Sequence, residues 1–92
     1  MSSLALNTEP LAASARCTDD ELIVRLEDGR VIAVPLLWFP RLAAAKREQR
    51  EALQIMGHGQ GIHWPQVDED ISVRGLLAGK PSVEYRAEAV AG

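Results

Sequence analysis

The stretch GHGQGIHWPQVDEDI, residues 57–71, concentrates most of the side chains with chemical potential. It holds both histidines, His58 and His63, three glycines at alternate positions and the acids Asp68, Glu69 and Asp70. Imidazole and carboxylate are common ligands for transition metals, so His58, His63, Asp68 and Asp70 form one candidate metal set and a candidate metal-assisted enzyme site. The spacing matches no strong metal signature, however. The acids lack the further ligands at fixed positions that a calcium loop requires. They also sit ahead of a predicted helix, whose positive end favours negative charge without any ligand.

Gly57, Gly59 and Gly61 give G-x-G-x-G. A dinucleotide or phosphate loop needs different spacing and a helix opening directly after it. The simpler account is a hairpin loop whose glycines permit positive φ. No G-x-S-x-G surrounds any serine, and Ser72 is better used as a helix cap. Cys17, the single cysteine, excludes an internal disulfide and a cysteine-based zinc site. It reads as a small buried hydrophobe and not as a reactive thiol. No catalytic residue and no cofactor are expected.

Two other clusters point to binding. Arg41, Lys46, Arg47 and Arg50 make a basic helix edge, a nucleic-acid alternative, but Glu48 and Glu51 interleave with them as in a solvated face. The net charge of −3 also weighs against a dedicated nucleic-acid binder. Trp38, Phe39 and Trp64 are three of the four aromatics. They either seal the core or, with His58 in the glycine loop, meet a protein partner, since tryptophan is enriched among interface anchors.

These residues need elements to position them. The 92 residues, 47% hydrophobic and 25% charged, bound one globular domain with a modest core. Residues 1–12 and 81–92 read as flexible tails around a domain over residues 13–80. So small a unit makes a homodimer attractive. The longest apolar run, Val31 to Phe39, is too short to span a membrane, and the N-terminus lacks the basic region of a signal peptide. A cytoplasmic location is expected.

In ELIVRLEDGRVIAV, two β-rich runs flank Asp28-Gly29. That dipeptide predicts a two-residue type I′ turn, with Glu27 opposite Arg30 and Leu26 opposite Val31. Leu22, Val24, Leu26, Val31 and Ala33 then share the inner face. A short strand over Ala13 to Cys17 precedes the hairpin. Pro35 ends the second strand, and Pro40 opens a helix through RLAAAKREQREAL. Residues 53–57 and 61–64 predict a second hairpin, added to the first hairpin's sheet. Ser72 caps a last short helix, with Ile71 and Leu76 as a hydrophobic staple and Gly79 closing it. The fold class is α+β: a small antiparallel sheet of about four strands, a central helix and a short C-terminal helix.

The motifs D-G-R, W-F-P-R-L (Trp38 to Leu42), G-I-H-W-P (Gly61 to Pro65) and D-E-D-I-S-V-x-G-L-L (Asp68 to Leu77) resemble a widespread bacterial domain family of unknown function. The resemblance covers about residues 15–80 and implies a small α+β domain with an antiparallel sheet. It is similar to the N-terminal domain of two-domain proteins with a C-terminal helix-turn-helix. Members also look like the second component of toxin–antitoxin-type gene pairs. The resemblance implies no activity, cofactor or catalytic residue. Relatives interrupt the segment after W-x-P-R-L with a Thr-Pro-Glu-Glu-like restart, where Ala45, Lys46, Arg47 and Glu48 stand here. The break loses its signal, which leaves room for one longer helix. No helix-turn-helix follows, so a direct DNA-reading role lacks its usual organ. The function expected is a non-catalytic interaction module of antitoxin-like or regulatory type. Its partner is expected to be a protein, such as a toxin-like product of an adjacent gene, with nucleic acid and membrane the poorer fits.

Overall fold

The computed structural model describes residues 9–85. Three strands come first: β1 (Ala12–Cys17), β2 (Glu21–Leu26) and β3 (Val31–Pro35). They form an antiparallel sheet in the order β1-β2-β3. A single turn of 3-10 helix (Leu36–Trp38) leads to two short helices, α1 (Pro40–Ala43) and α2 (Arg47–Glu51). A second antiparallel sheet follows, with β4 (Gln54–Met56), β5 (Gly61–Trp64) and β6 (Glu69–Ser72) in the order β4-β5-β6. Helix α3 (Val73–Leu77) completes the unit. The α+β class holds, but two three-stranded sheets replace the expected single sheet of four strands.

The first hairpin lies where Asp28-Gly29 put it, but in another register. Arg25 pairs with Val31, Val24 with Ile32 and Leu22 with Val34. The loop is therefore three residues long. The Gly29 N–H donates to the Leu26 carbonyl at 3.0 Å, the Leu26 N–H to the Arg30 carbonyl at 2.8 Å, and Gly29 takes φ +98°. This is a type I turn closed by a left-handed glycine, the common three-residue hairpin. Arg30 meets Asp28 and not Glu27: the backbone N–H of Arg30 holds the Asp28 carboxyl below its ordinary range, and the guanidinium adds a 2.8 Å contact. The slip of one residue exchanges the faces of β3. Val34 is buried and Ile32 packs on the core, while Val31 and Ala33 face solvent.

The long helix after Pro40 is broken. Lys46 is extended (ψ 157°) and starts α2, with its N–H bonded to Gln49 Oε1 at 2.9 Å. That is one half of a capping box. Arg50 Nη1 donates to the Ala45 carbonyl at 2.7 Å, satisfying a group that the break leaves open. Glutamine three residues after the cap thus restarts the helix, although Ala45, Lys46, Arg47 and Glu48 carry no Thr-Pro-Glu-Glu-like signal.

Strand β6 occupies residues read as an acidic lead-in to a helix. The turn after β5 has Pro65 at its second position, the Val67 N–H donating to the Trp64 carbonyl at 3.2 Å, and Asp68 at φ 60°. Proline suits that position, and aspartate tolerates the left-handed region better than most residues. The chain returns as β6, and Ser72 then caps α3 by accepting the Gly75 N–H at 2.8 Å. Ile71 and Leu76 are both buried, as a staple requires, and Gly79 follows the helix at φ +73°.

One core joins both sheets and the helices. It contains Leu22, Val24, Leu26 and Val34 from the first sheet, Ile62, Trp64 and Ile71 from the second, and Leu36, Phe39, Leu42, Val73 and Leu76 around them. Residues 1–8 and 86–92, parts of the expected tails, lie outside the described residues. Within the described residues the tail segments make contacts. Ala12 begins β1 and is buried, the Ser82 N–H donates to the Trp38 carbonyl at 3.0 Å, and Arg41 pairs with Glu84 at 3.2 Å.

Candidate functional site

The glycine stretch is a tie between the sheets. The loop 57–60 joins β4 to β5. Its Gly59 carbonyl accepts the Ala12 N–H at 2.7 Å, and the Gln60 carbonyl accepts the Val73 N–H at 2.9 Å. A side chain at Gly59 would place Cβ 2.7 Å from the Ala12 oxygen and 2.9 Å from its nitrogen. Close backbone approach explains that glycine. His58 stands exposed at the tip of the loop.

His63 and Asp70 are cross-strand partners on β5 and β6, and His63 Nδ1 lies 2.5 Å from Asp70 Oδ1. The carboxylate orients the ring and favours the tautomer that carries the proton on Nδ1. At Asp68 the backbone carbonyl accepts Arg41 Nη1 at 3.3 Å. Among the described residues no group of three or more His, Cys, Asp and Glu side chains is placed to hold a metal ion. Of the four proposed ligands, only His63 and Asp70 come together.

The four basic residues do not form one edge either. Arg41 lies on α1 and is engaged by Glu84. Arg47 and Arg50 lie on α2, at 3.4 and 3.9 Å from Asp19, while Lys46 is exposed just ahead of α2. Arg47, Arg50 and Asp19 line a cleft of about 270 Å³ with Cys17, Thr18 and Glu51. Its mixed charges do not make a phosphate-tracking stripe.

Burial also divides the aromatic set. Trp64 is fully buried and donates Nε1–H to the Arg50 carbonyl at 3.0 Å, and Phe39 is 4% exposed. Both belong to the core and are withdrawn from any exposed surface. Trp38 packs at the core's edge and is half-buried.

Exposed apolar surface lies elsewhere. Val31 is 54% exposed and Leu37 57%. Val31 is on β3, a terminal strand of its sheet. At the end of β3, Pro35, Leu36, Leu37 and Ala43 line a cleft of about 510 Å³ that Asp19, Asp20 and Glu21 border. The sequence hid both residues. Val31 fell on the inner face in the expected register, and nothing in LLWF separates exposed Leu37 from buried Leu36.

The family described as "Protein of unknown function (DUF2442)" matches residues 12–82. The chain belongs to the DUF2442 family. The match covers both sheets and all three helices of this DUF2442 domain. The domain is similar to a protein of unknown function from Rhodospirillum rubrum, whose crystal structure superposes with a TM-score of 0.74 at 38% identity, over 84% of this chain and 95% of that one. It also shares its fold with an uncharacterised protein from Chromobacterium violaceum, solved in solution by NMR (TM-score 0.69, 24% identity, 95% of this chain and 82% of that one). None of the curated proteins matches the chain. No helix among the described residues of the DUF2442 domain is long and apolar enough to cross a membrane.

Proposed function

We propose that this DUF2442 domain is a non-catalytic protein-interaction module of regulatory or antitoxin-like type. The open edge of β3 is the observation that carries the reading. The Leu26–Arg30 bond sets the alternation of the ladder, so Ile32 and Val34 bond to β2 while the backbone of Val31 and Ala33 points outward. Among the described residues β3 pairs with β2 alone, so the N–H groups of Val31 and Ala33 face away from the ladder. An extended segment of a partner can add a strand here, with main-chain bonds for affinity and side-chain pockets for selection. The cleft around Leu37, at the end of the same strand, supplies such a pocket. Pro35 has no N–H and sets the limit of the addition.

The test is affinity capture from the native cell, with wild-type chain and the variants Leu37→Glu and Val31→Pro. Both positions are solvent-facing, so neither change should disturb the core. The expected result is one protein at near-equal amount with the wild type, and its loss with both variants. A partner retained equally by both variants, or none at all, would overturn the reading.

A further inference from the structure

The outer face of the first sheet carries a charge pattern that fits its own copy. The strands alternate, so Glu21, Ile23 and Arg25 of the central strand β2 all point away from the core, whose members are Leu22, Val24 and Leu26. Ala33 lies beside Ile23, and Val31 beside Arg25. On the other flank Arg16 lies beside Ile23, and Ser14 beside Arg25. The central strand therefore presents an acid, an isoleucine and an arginine at equal steps. Ile23 is half-buried, and Glu21 and Arg25 are exposed. Among the described residues neither Glu21, Arg25 nor Arg16 has an ion-pair partner.

We propose that this face binds a second copy of the chain, about a two-fold axis that crosses the strands at Ile23. Such an axis keeps each strand over its own copy and reverses its direction. Glu21 then opposes Arg25 of the partner subunit, Arg25 opposes Glu21 of the partner subunit, and Ile23 meets itself at the centre. Two opposite-charge contacts and an apolar middle arise from one strand, as an isologous interface requires. An axis along the strands would set Glu21 against Glu21 and Arg25 against Arg25, so charge selects the crossing axis. The one like-charge approach is Arg16 with its own copy, at the flank, where the side chain can turn to solvent.

The face is small. Three strands and five residues span about 14 by 17 Å. A standard interface buries about 800 Å² on each partner, so this dimer is weak, concentration-dependent and sensitive to salt. It uses side chains of the outer face, whereas strand addition at the β3 edge uses backbone groups in the plane of the sheet and the Leu37 cleft; Val31 borders both, with its side chain beside Arg25, so Leu37→Glu is the variant that separates them.

Analytical ultracentrifugation of the full chain over a concentration series tests it. Wild type should show a monomer–dimer equilibrium that weakens as salt rises. Glu21→Arg and Arg25→Glu should each weaken it by about tenfold or more. Mixing those two variants should restore association, because every opposing pair is again of opposite sign. The double variant should also dimerise, and Arg16→Ser should associate more tightly than wild type. The altered side chains are exposed, and circular dichroism of each variant verifies the fold. Wild type that stays monomeric throughout would overturn the proposal, as would variants that dimerise unchanged or a mixture that fails to associate. So would a face that retains an acidic protein or nucleic acid, lost on Arg25→Glu, while the chain itself stays monomeric.

Discussion

The backbone of Gly59 lies directly against that of Ala12, with the Ala12 N–H on the Gly59 carbonyl at 2.7 Å. This one bond ties the first strand of one sheet to the hairpin loop of the other. Gly59 reaches it at φ +109°, with no room for Cβ. Gly59→Ala combines left-handed strain with a backbone clash and should cost about 2–3 kcal/mol in urea unfolding. Gly29→Ala carries the strain alone, since nothing stands within 4 Å of its Cβ position, and should cost about 1 kcal/mol. Equal losses at the two sites would show that the Ala12 approach contributes nothing.

Trp64 links β5 to α2 through its indole N–H and the Arg50 carbonyl, at 3.0 Å. Trp64→Phe keeps an aromatic ring but deletes this bond and leaves unfilled volume in the core. The expected loss is about 1–3 kcal/mol, read by chemical denaturation. Hydrogen exchange should localise the damage, with amides of α2 losing protection more than those of β2. Uniform loss across both would refute a specific anchoring of α2 by Trp64.

The places where sequence reading succeeded and failed have physical causes. The staple of Ile71 and Leu76, the Ser72 cap and Gly79 depend on neighbours within one turn of helix, so local residue types were enough. The register of the first hairpin depends on which face of β3 is buried. Val31, Ile32, Ala33 and Val34 are all apolar, so alternation could not decide between the faces. The turn signal of Asp28-Gly29 then favoured the wrong loop length. Strand β6 was missed because Glu69 and Asp70 look like a helix lead-in, and only pairing with Trp64 and His63 makes them a strand. The candidate metal residues were adjacent in sequence, but the fold brings together only His63 and Asp70. The charged outer face of β2 follows only from the sheet, whose core packs on the opposite side through Leu22, Val24 and Leu26.

Cys17 borders the cleft with Arg47 and Arg50 yet is poorly suited to nucleophilic chemistry. Burial pushes its thiol above the ordinary value, outweighing Arg50 and the contact with Trp64, which act in the opposite direction. At mildly alkaline pH the thiolate fraction is therefore lower than in the unfolded chain. Alkylation of the native protein should run slower than that of the urea-unfolded protein. A native rate equal to or above the unfolded one would mark Cys17 as activated.

Glu69 gives the fold a pH dependence of definite sign. Partial burial raises its carboxyl above the ordinary value of 4.5, with Arg41 opposing the rise and Glu84, Asp70 and Asp68 adding to it. The native state thus holds this proton more tightly than the unfolded chain does. Its contribution to stability is fully present below the unfolded value and is lost as pH rises through the higher folded value. Glu69→Gln removes the ionisation while keeping the shape. The variant should therefore gain on the wild type as pH rises from acid to neutral, in paired thermal melts across that window. The side chain is only half-buried, so solvent still screens the carboxylate and the gain is small. A wild type that instead gains on Glu69→Gln toward neutral pH would mean that the attraction of Arg41 outweighs the burial of the carboxylate.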